Sequence, residues 1–261
     1  MNTIQTVKIK HIEIGQGTPK IIVPLMPKNL GMIDSAVASL KDVKFDIIEW
    51  RVDHLDNTNS FEHVQQAAQK IRQQLSTTPL IDAPLLFTFR TKKEGGEKDI
   101  SIQDYVALNL AMIESSLIDA VDVELFTGNE HVKTIVDAAH TQGIKVIASS
   151  HDFEKTPPKE EIISRLRKMQ ELGADIPKIA AMPKSKSDVI TLLDATLTMY
   201  EQYANRPLIT MSMGGLGSIS RISGETFGSA ATFGAAGATS APGQLDAKDL
   251  HTILEVLHRA Q

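Results

Sequence analysis

Cysteine is absent from the 261 residues, so neither a disulfide framework nor a thiolate-bound metal is available, although His, Asp and Glu remain as ligand types. No basic run occurs. The formal charge of −5 is made of interspersed signs, which argues against nucleic-acid binding as the main business. No Gly/Ser- or Pro-rich linker divides the chain, and 42% hydrophobic residues suffice for one large core, so residues 1–261 read as a single domain. No stretch of about eighteen apolar residues exists. The N-terminus lacks a charged region followed by an apolar one, so the expectation is a cytoplasmic protein with no membrane partner.

What is present is a rhythm. Val7 to Ile14 alternates apolar with polar, and Gly15 to Pro19 turns the chain, so residues 7–15 read as a short N-terminal strand or hairpin. Apolar strands then recur at residues 21–26, 46–53, 84–90, 120–126, 145–150, 176–182, 208–213 and 231–236. Between them lie amphipathic helical patterns, such as Val132, Ile135, Val136 and Ala139 closed by Gly143. Helix starts are legible at Ser101 with Asp104, at Asn129 before Glu130, at Pro157 and Pro158, and at Asp246 with Asp249. Strand–helix units of roughly 25–30 residues repeated over this length fit a (β/α)8 barrel better than an open sheet. The first strand is not followed by Gly-x-Gly-x-x-Gly, which removes the main signal for a dinucleotide fold.

In such a barrel, chemistry sits at the carboxyl ends of the strands. Strand two ends Glu49–Trp50–Arg51–Val52–Asp53, whose alternation puts Glu49, Arg51 and Asp53 on one face; catalysis or an ion pair of Glu49 with Arg51 would each explain them. Strand three ends at Arg90 and enters the charged, glycine-hinged segment Thr91–Lys92–Lys93–Glu94–Gly95–Gly96–Glu97. Strand four carries Asp122 and Glu124, either of which can orient a partner. Strand five delivers His151, placed to move protons. Met211 and Met213 read as packing. Residues 228–244, small and glycine-rich, suit a mobile lid or tight packing. Gly214–Gly215–Leu216–Gly217 is a weak phosphate-cradle signal, since no Lys–Ser/Thr follows it.

Strand six, Ile176–Pro177–Lys178–Ile179–Ala180–Ala181–Met182, sets a lysine in an apolar run. Desolvation disfavours an ammonium ion, so the amine there is a candidate nucleophile toward a carbonyl, forming a Schiff base. Snorkelling, or pairing with a nearby carboxylate, is the structural alternative.

Six ordered segments resemble the motifs of the type I 3-dehydroquinate dehydratase family: the strand-two run, Phe87–Thr88–Phe89–Arg90 with Glu94 to Glu97, Ser150–His151–Asp152–Phe153, Asp175 to Ala180, Ile219–Ser220–Arg221, and Ser240–Ala241–Pro242–Gly243–Gln244. The resemblance implies a (β/α)8 TIM barrel closed at its bottom by N-terminal antiparallel strands. It also implies a homodimer that dehydrates 3-dehydroquinate with no metal and no other cofactor. It makes Lys178 the Schiff-base lysine, His151 the general acid/base, Glu94 the carboxylate near that histidine, and Glu49, Arg51, Arg90, Arg221, Ser240 and Gln244 substrate contacts. Among the arginines, a fork suits the substrate carboxylate best, and Arg221 is the choice for it. A strand-one serine that touches substrate in some members is Pro24 here, so a contact at that position is lost or made by backbone alone. The alternatives are a class I Schiff-base aldolase, which should carry a phosphate-binding loop after strands seven and eight, and a non-catalytic ligand-binding relative, which should lack Lys178 or His151.

Overall fold

The computed structural model describes residues 4–237 and 239–261. Two short antiparallel strands, β1 (Val7–Ile9) and β2 (Ile12–Ile14), form a hairpin. It turns at Lys10, in the left-handed region at φ 51°, so the reversal falls inside the alternating run and the Gly15 to Pro19 segment leads onward into the barrel. The barrel strands are β3 (Lys20–Leu25), β4 (Ile47–Arg51), β5 (Leu85–Thr88), β6 (Ala120–Glu124), β7 (Lys145–Asp152), β8 (Ile176–Ala181), β9 (Ile209–Ser212) and β10 (Ala231–Ala235). All pair in parallel, β10 bonds β3, and a parallel bridge between Leu208 and Ser229 closes the seam from β9 to β10. One strand was not foreseen: β11 (Leu245–Asp246) adds to Gly234 and Ala235 of β10. The β3–β10 register ends at Ile22 with Phe233, and the next inward residue of β3 is Pro24, which has no N–H to continue that ladder.

Helices cover the outside, and their starts follow local chemistry. Helix α1 (Ile33–Ala38) is short; α2 (Phe61–Ser76) begins at Ser60, whose hydroxyl accepts from the His63 N–H, and buries Val64, Ala67, Ala68, Ile71 and Leu75. Ser101 caps α3 (Ile102–Glu114) as expected. Helix α4 (Asn129–Thr141) includes Asn129 in its first turn, with Gly128 as the cap, one residue earlier than the sequence implied. Pro158 precedes α5 (Lys159–Glu171), and Ser185 with Asp188 forms a capping box on α6 (Lys186–Thr198). Two short helices, α7 (Ser218–Ile222) and α8 (Gly224–Phe227), follow β9, and α9 (Ala247–His258) starts at Asp246. No helix among the described residues is long and apolar enough to cross a membrane.

Inside the barrel the strands' period of two stacks side chains in layers. The lowest layer joins Ile22, Ile47, Leu86, Ala120, Ile147, Ile176 and Ile209 to Val7, Ile9 and Ile14, so the hairpin is an apolar plug under the barrel. One layer up, the interior turns polar. Glu49, Thr88, Asp122, Ser149 and Lys178 are all buried at the positions two residues further along their strands.

Candidate active site

Lys178 is 3% exposed, but its surroundings are not the apolar ones its own strand suggested. Its Nζ lies 3.2 Å from Asp122 Oδ2 and 3.9 Å from Glu49 Oε1, and 4.5 Å from the centroid of the Phe233 ring. Parity explains the difference. Ile179 and Ala181 face the outer helices, whereas Lys178 shares the inner layer with residues of neighbouring strands. The pairing alternative and the buried placement are therefore both realised.

Asp122 is fully buried, and burial opposes its charge. Arg90, then Lys178, with hydrogen bonds from Ser149 and Arg90, outweigh that cost and hold the carboxyl below its usual range. Arg90 is the hub of this network. It donates to Asp122 Oδ1 at 2.8 Å, to Glu124 Oε1 at 2.8 Å and to Ser149 Oγ at 3.0 Å. Glu124 also accepts from the backbone and hydroxyl of Thr91, while Tyr105 of α3 accepts from the Glu124 N–H. Both strand-four carboxylates thus orient a partner: Asp122 takes Lys178 and Glu124 takes Arg90.

His151 lies within β7, two residues beyond Ser149, the register partner of Lys178. At the parallel-strand rise this sets it about 6.6 Å further toward the mouth. Its Nδ1 is 2.8 Å from Glu94 Oε2, which also accepts from the His151 N–H at 3.0 Å. Burial, then the charges of Arg90, Lys178 and Arg51, disfavour the imidazolium. Burial and the nearby Glu124 push Glu94 up to about 8. Nδ1 and Oε2 thus share a hydrogen bond whose donor depends on the imidazole tautomer.

The segment holding Glu94 is pinned rather than hinged. A Thr91–Lys98 bridge ties its ends, and a Cβ on Gly96 would collide with the Arg90 carbonyl, so that glycine serves close approach. Strand two differs from expectation as well. Arg51 pairs side-on with Asp53, not with Glu49, whose Oε1 accepts from Thr88 at 3.1 Å. Above them, the Ser240 N–H donates to Gln244 Oε1, and Gln244 Nε2 donates to Ser240 Oγ, both at 2.9 Å.

A cavity of about 450 Å3, counting its open mouth, is lined by Glu49, Arg51, Arg90, Glu94, His151, Lys178, Ser240 and Gln244. Eight of the nine residues singled out from sequence thus meet around one space. A model of type I 3-dehydroquinase matches residues 21–261. The chain belongs to the type I 3-dehydroquinase family. It is 55% identical over 257 residues to a 3-dehydroquinate dehydratase of Escherichia coli (strain SE11), covering 98% of this chain and 100% of that one. It is similar to the crystal structure of a type I 3-dehydroquinate dehydratase from Clostridium difficile, solved with covalent modified comenic acid: 50% identity, 99% and 100% coverage, TM-score 0.94. A 3-dehydroquinate dehydratase from Geobacillus kaustophilus matches at 34% identity, with 99% coverage of both chains and a TM-score of 0.93.

The ninth residue singled out in this dehydroquinase, Arg221, stands apart from the cavity lining. It is 1% exposed on α7, donating from NH2 to the Pro242 carbonyl at 3.0 Å, with NH1 3.7 Å from Met211 Sδ. Its Nε has no partner among the described residues, and burial pushes the guanidinium down to about 10. The lid expectation narrows too. Residues 231–235 are strand β10, leaving 228–230 before it and 236, 237 and 239–244 after it, while Ala238 lies outside the described residues. Sequence reading missed Phe233, Phe153 and the two methionines as cavity lining. Inward parity on β10 would have found Phe233; Phe153 stands in the His151 segment without a role assigned to it and reaches the cavity from beyond the end of β7.

Proposed function

We propose that this dehydroquinase converts 3-dehydroquinate to 3-dehydroshikimate and water through an imine on Lys178, with His151 as general acid and base. The amine adds to the ketone and the carbinolamine loses water, giving a protonated imine that serves as an electron sink. His151 takes a proton from the carbon beside the former ketone, and the electron pair is held by the iminium. The hydroxyl one carbon further on then leaves, receiving that proton as water departs. A second water hydrolyses the imine, releasing product and the free amine, so one water is lost overall.

The observation that carries this reading is a buried amine at the floor of the cavity with a hydrogen-bonded His–Glu pair one layer above it. Glu94 keeps the imidazole oriented. Arg90 keeps Asp122 charged beside the amine and holds Glu124 by a hydrogen bond, which preorganises the site for the cationic imine. Arg51, Ser240 and Gln244 reach ring hydroxyls from the rim. Arg221, a cation whose Nε has no partner among the described residues, suits the substrate carboxylate once residues 239–244 and Met211 adjust around it. Membership of the type I 3-dehydroquinase family disfavours the aldolase alternative, and both Lys178 and His151 are present. The reading extends to one domain over residues 1–261, a cytoplasmic location and a homodimer. The continuous sheet, the composition and the exposed apolar side chains Ile190, Leu216 and Ile219 support these in turn. Incubation with 3-dehydroquinate, reduction with borohydride and mass spectrometry of the peptides tests the imine; a label on any lysine other than Lys178 overturns it.

A further inference from the structure

Asp53, the last charge of the strand-two face, has no part in the steps above, and it is wholly buried. It sits in a short turn, Val52–His54, directly after β4. Each carboxylate oxygen receives two hydrogen bonds. Oδ1 accepts from Arg51 Nε at 2.8 Å and from the Arg90 N–H at 3.3 Å; Oδ2 accepts from Arg51 NH2 at 2.8 Å and from the Glu97 N–H at 3.1 Å. Each oxygen therefore joins one guanidinium nitrogen to one backbone N–H from the end of β5 or the segment that follows it. All four partners are donors, which only an ionised carboxylate can accept together. The side-on grip occupies Nε and NH2, and leaves NH1 to donate to the Ser240 carbonyl of the 239–244 loop at 3.3 Å.

We propose that Asp53 is a positioning residue for substrate capture: it clamps Arg51 so that NH1 serves the mouth, and it fastens the β5 segment and, through Arg51, the Ser240 loop in one arrangement. It touches neither the amine nor the His–Glu pair, so it governs how tightly substrate is held rather than the proton transfers. This rests on the reading of Arg51 as a substrate contact.

The test is a double-mutant cycle on steady-state kinetics. Asp53→Asn must turn its NH2 toward two of the four donors, and it raises KM roughly tenfold or more with kcat within about threefold. Arg51→Met raises KM as well. In the double variant the two effects do not multiply, because removing the clamp matters only while the clamped group is there. Asp53→Ser, which removes the carboxylate without setting an N–H against the donors, reads the same split should the Asn variant not fold. A fall in kcat at unchanged KM, parental kinetics, or effects of Asp53→Asn and Arg51→Met that multiply in full each overturn the proposal. A parental KM in Arg51→Met overturns the contact reading of Arg51 instead. Borohydride labelling of Lys178 in every variant keeps the imine reading separately tested.

Discussion

Lys178 Nζ and Asp122 Oδ2 are 3.2 Å apart across the barrel interior, and Asp122 is itself held by Arg90 and Ser149. The amine is fixed in place by a carboxylate that would be costly to leave alone. That changes what removing the lysine does.

Lys178→Ala is expected to abolish borohydride-trapped adduct and lower turnover by several orders of magnitude. It also withdraws the cation from Glu49 and Asp122, although Arg90 remains, so a loss on the order of 1–3 kcal/mol in stability is expected. Urea unfolding measures it. A Lys178→Met, Glu49→Gln double variant should recover part of that loss, and an unchanged midpoint in the single variant would show that the two carboxylates do not depend on the amine.

The Glu94 carboxyl titrates near 8 in the folded protein, against an ordinary 4.5. Between those values the unfolded chain has released a proton that the folded protein retains, so the group's contribution to stability is present below about 4.5 and is lost as pH rises toward about 8. Glu94→Gln does not titrate. Its stability relative to the parent should therefore climb across that window, and a pH-independent difference in denaturation midpoints would place Glu94 at an ordinary value.

His151→Ala should still form the imine but accumulate it, because the subsequent proton transfers lose on the order of 10²–10⁴ in rate. Rapid quench with borohydride reports the trapped fraction. Parental turnover would move the acid/base role elsewhere.

Loop residues 239–244 are tied to the barrel by Arg51 and Arg221 through carbonyl oxygens of Ser240 and Pro242. Bound substrate should strengthen those ties. Hydrogen exchange over this stretch is expected to slow in the reduced adduct, and Arg221→Lys, which lacks the fork, should raise KM by roughly tenfold or more. The same exchange rate with and without adduct would mark the loop as static packing.

By itself the sequence determined the barrel, because strand parity and helix periodicity are local properties that the chain writes every few residues. It also placed Lys178, His151, Glu94 and their companions at strand ends, where the fold makes them converge. Tertiary structure alone decided the partners. Lys178 reads as an amine among apolar neighbours until β6 brings Asp122 beside it, and Arg51 reads as the counterion of Glu49 until the turn at Val52–His54 swings Asp53 into its fork. Pairing across strands depends on register and on the path of the chain after each strand, and neither is encoded in the run of residues that carries the side chain. Arg221 shows the same limit: its motif is local, but its distance from the cavity lining depends on where a loop twenty residues later comes to rest.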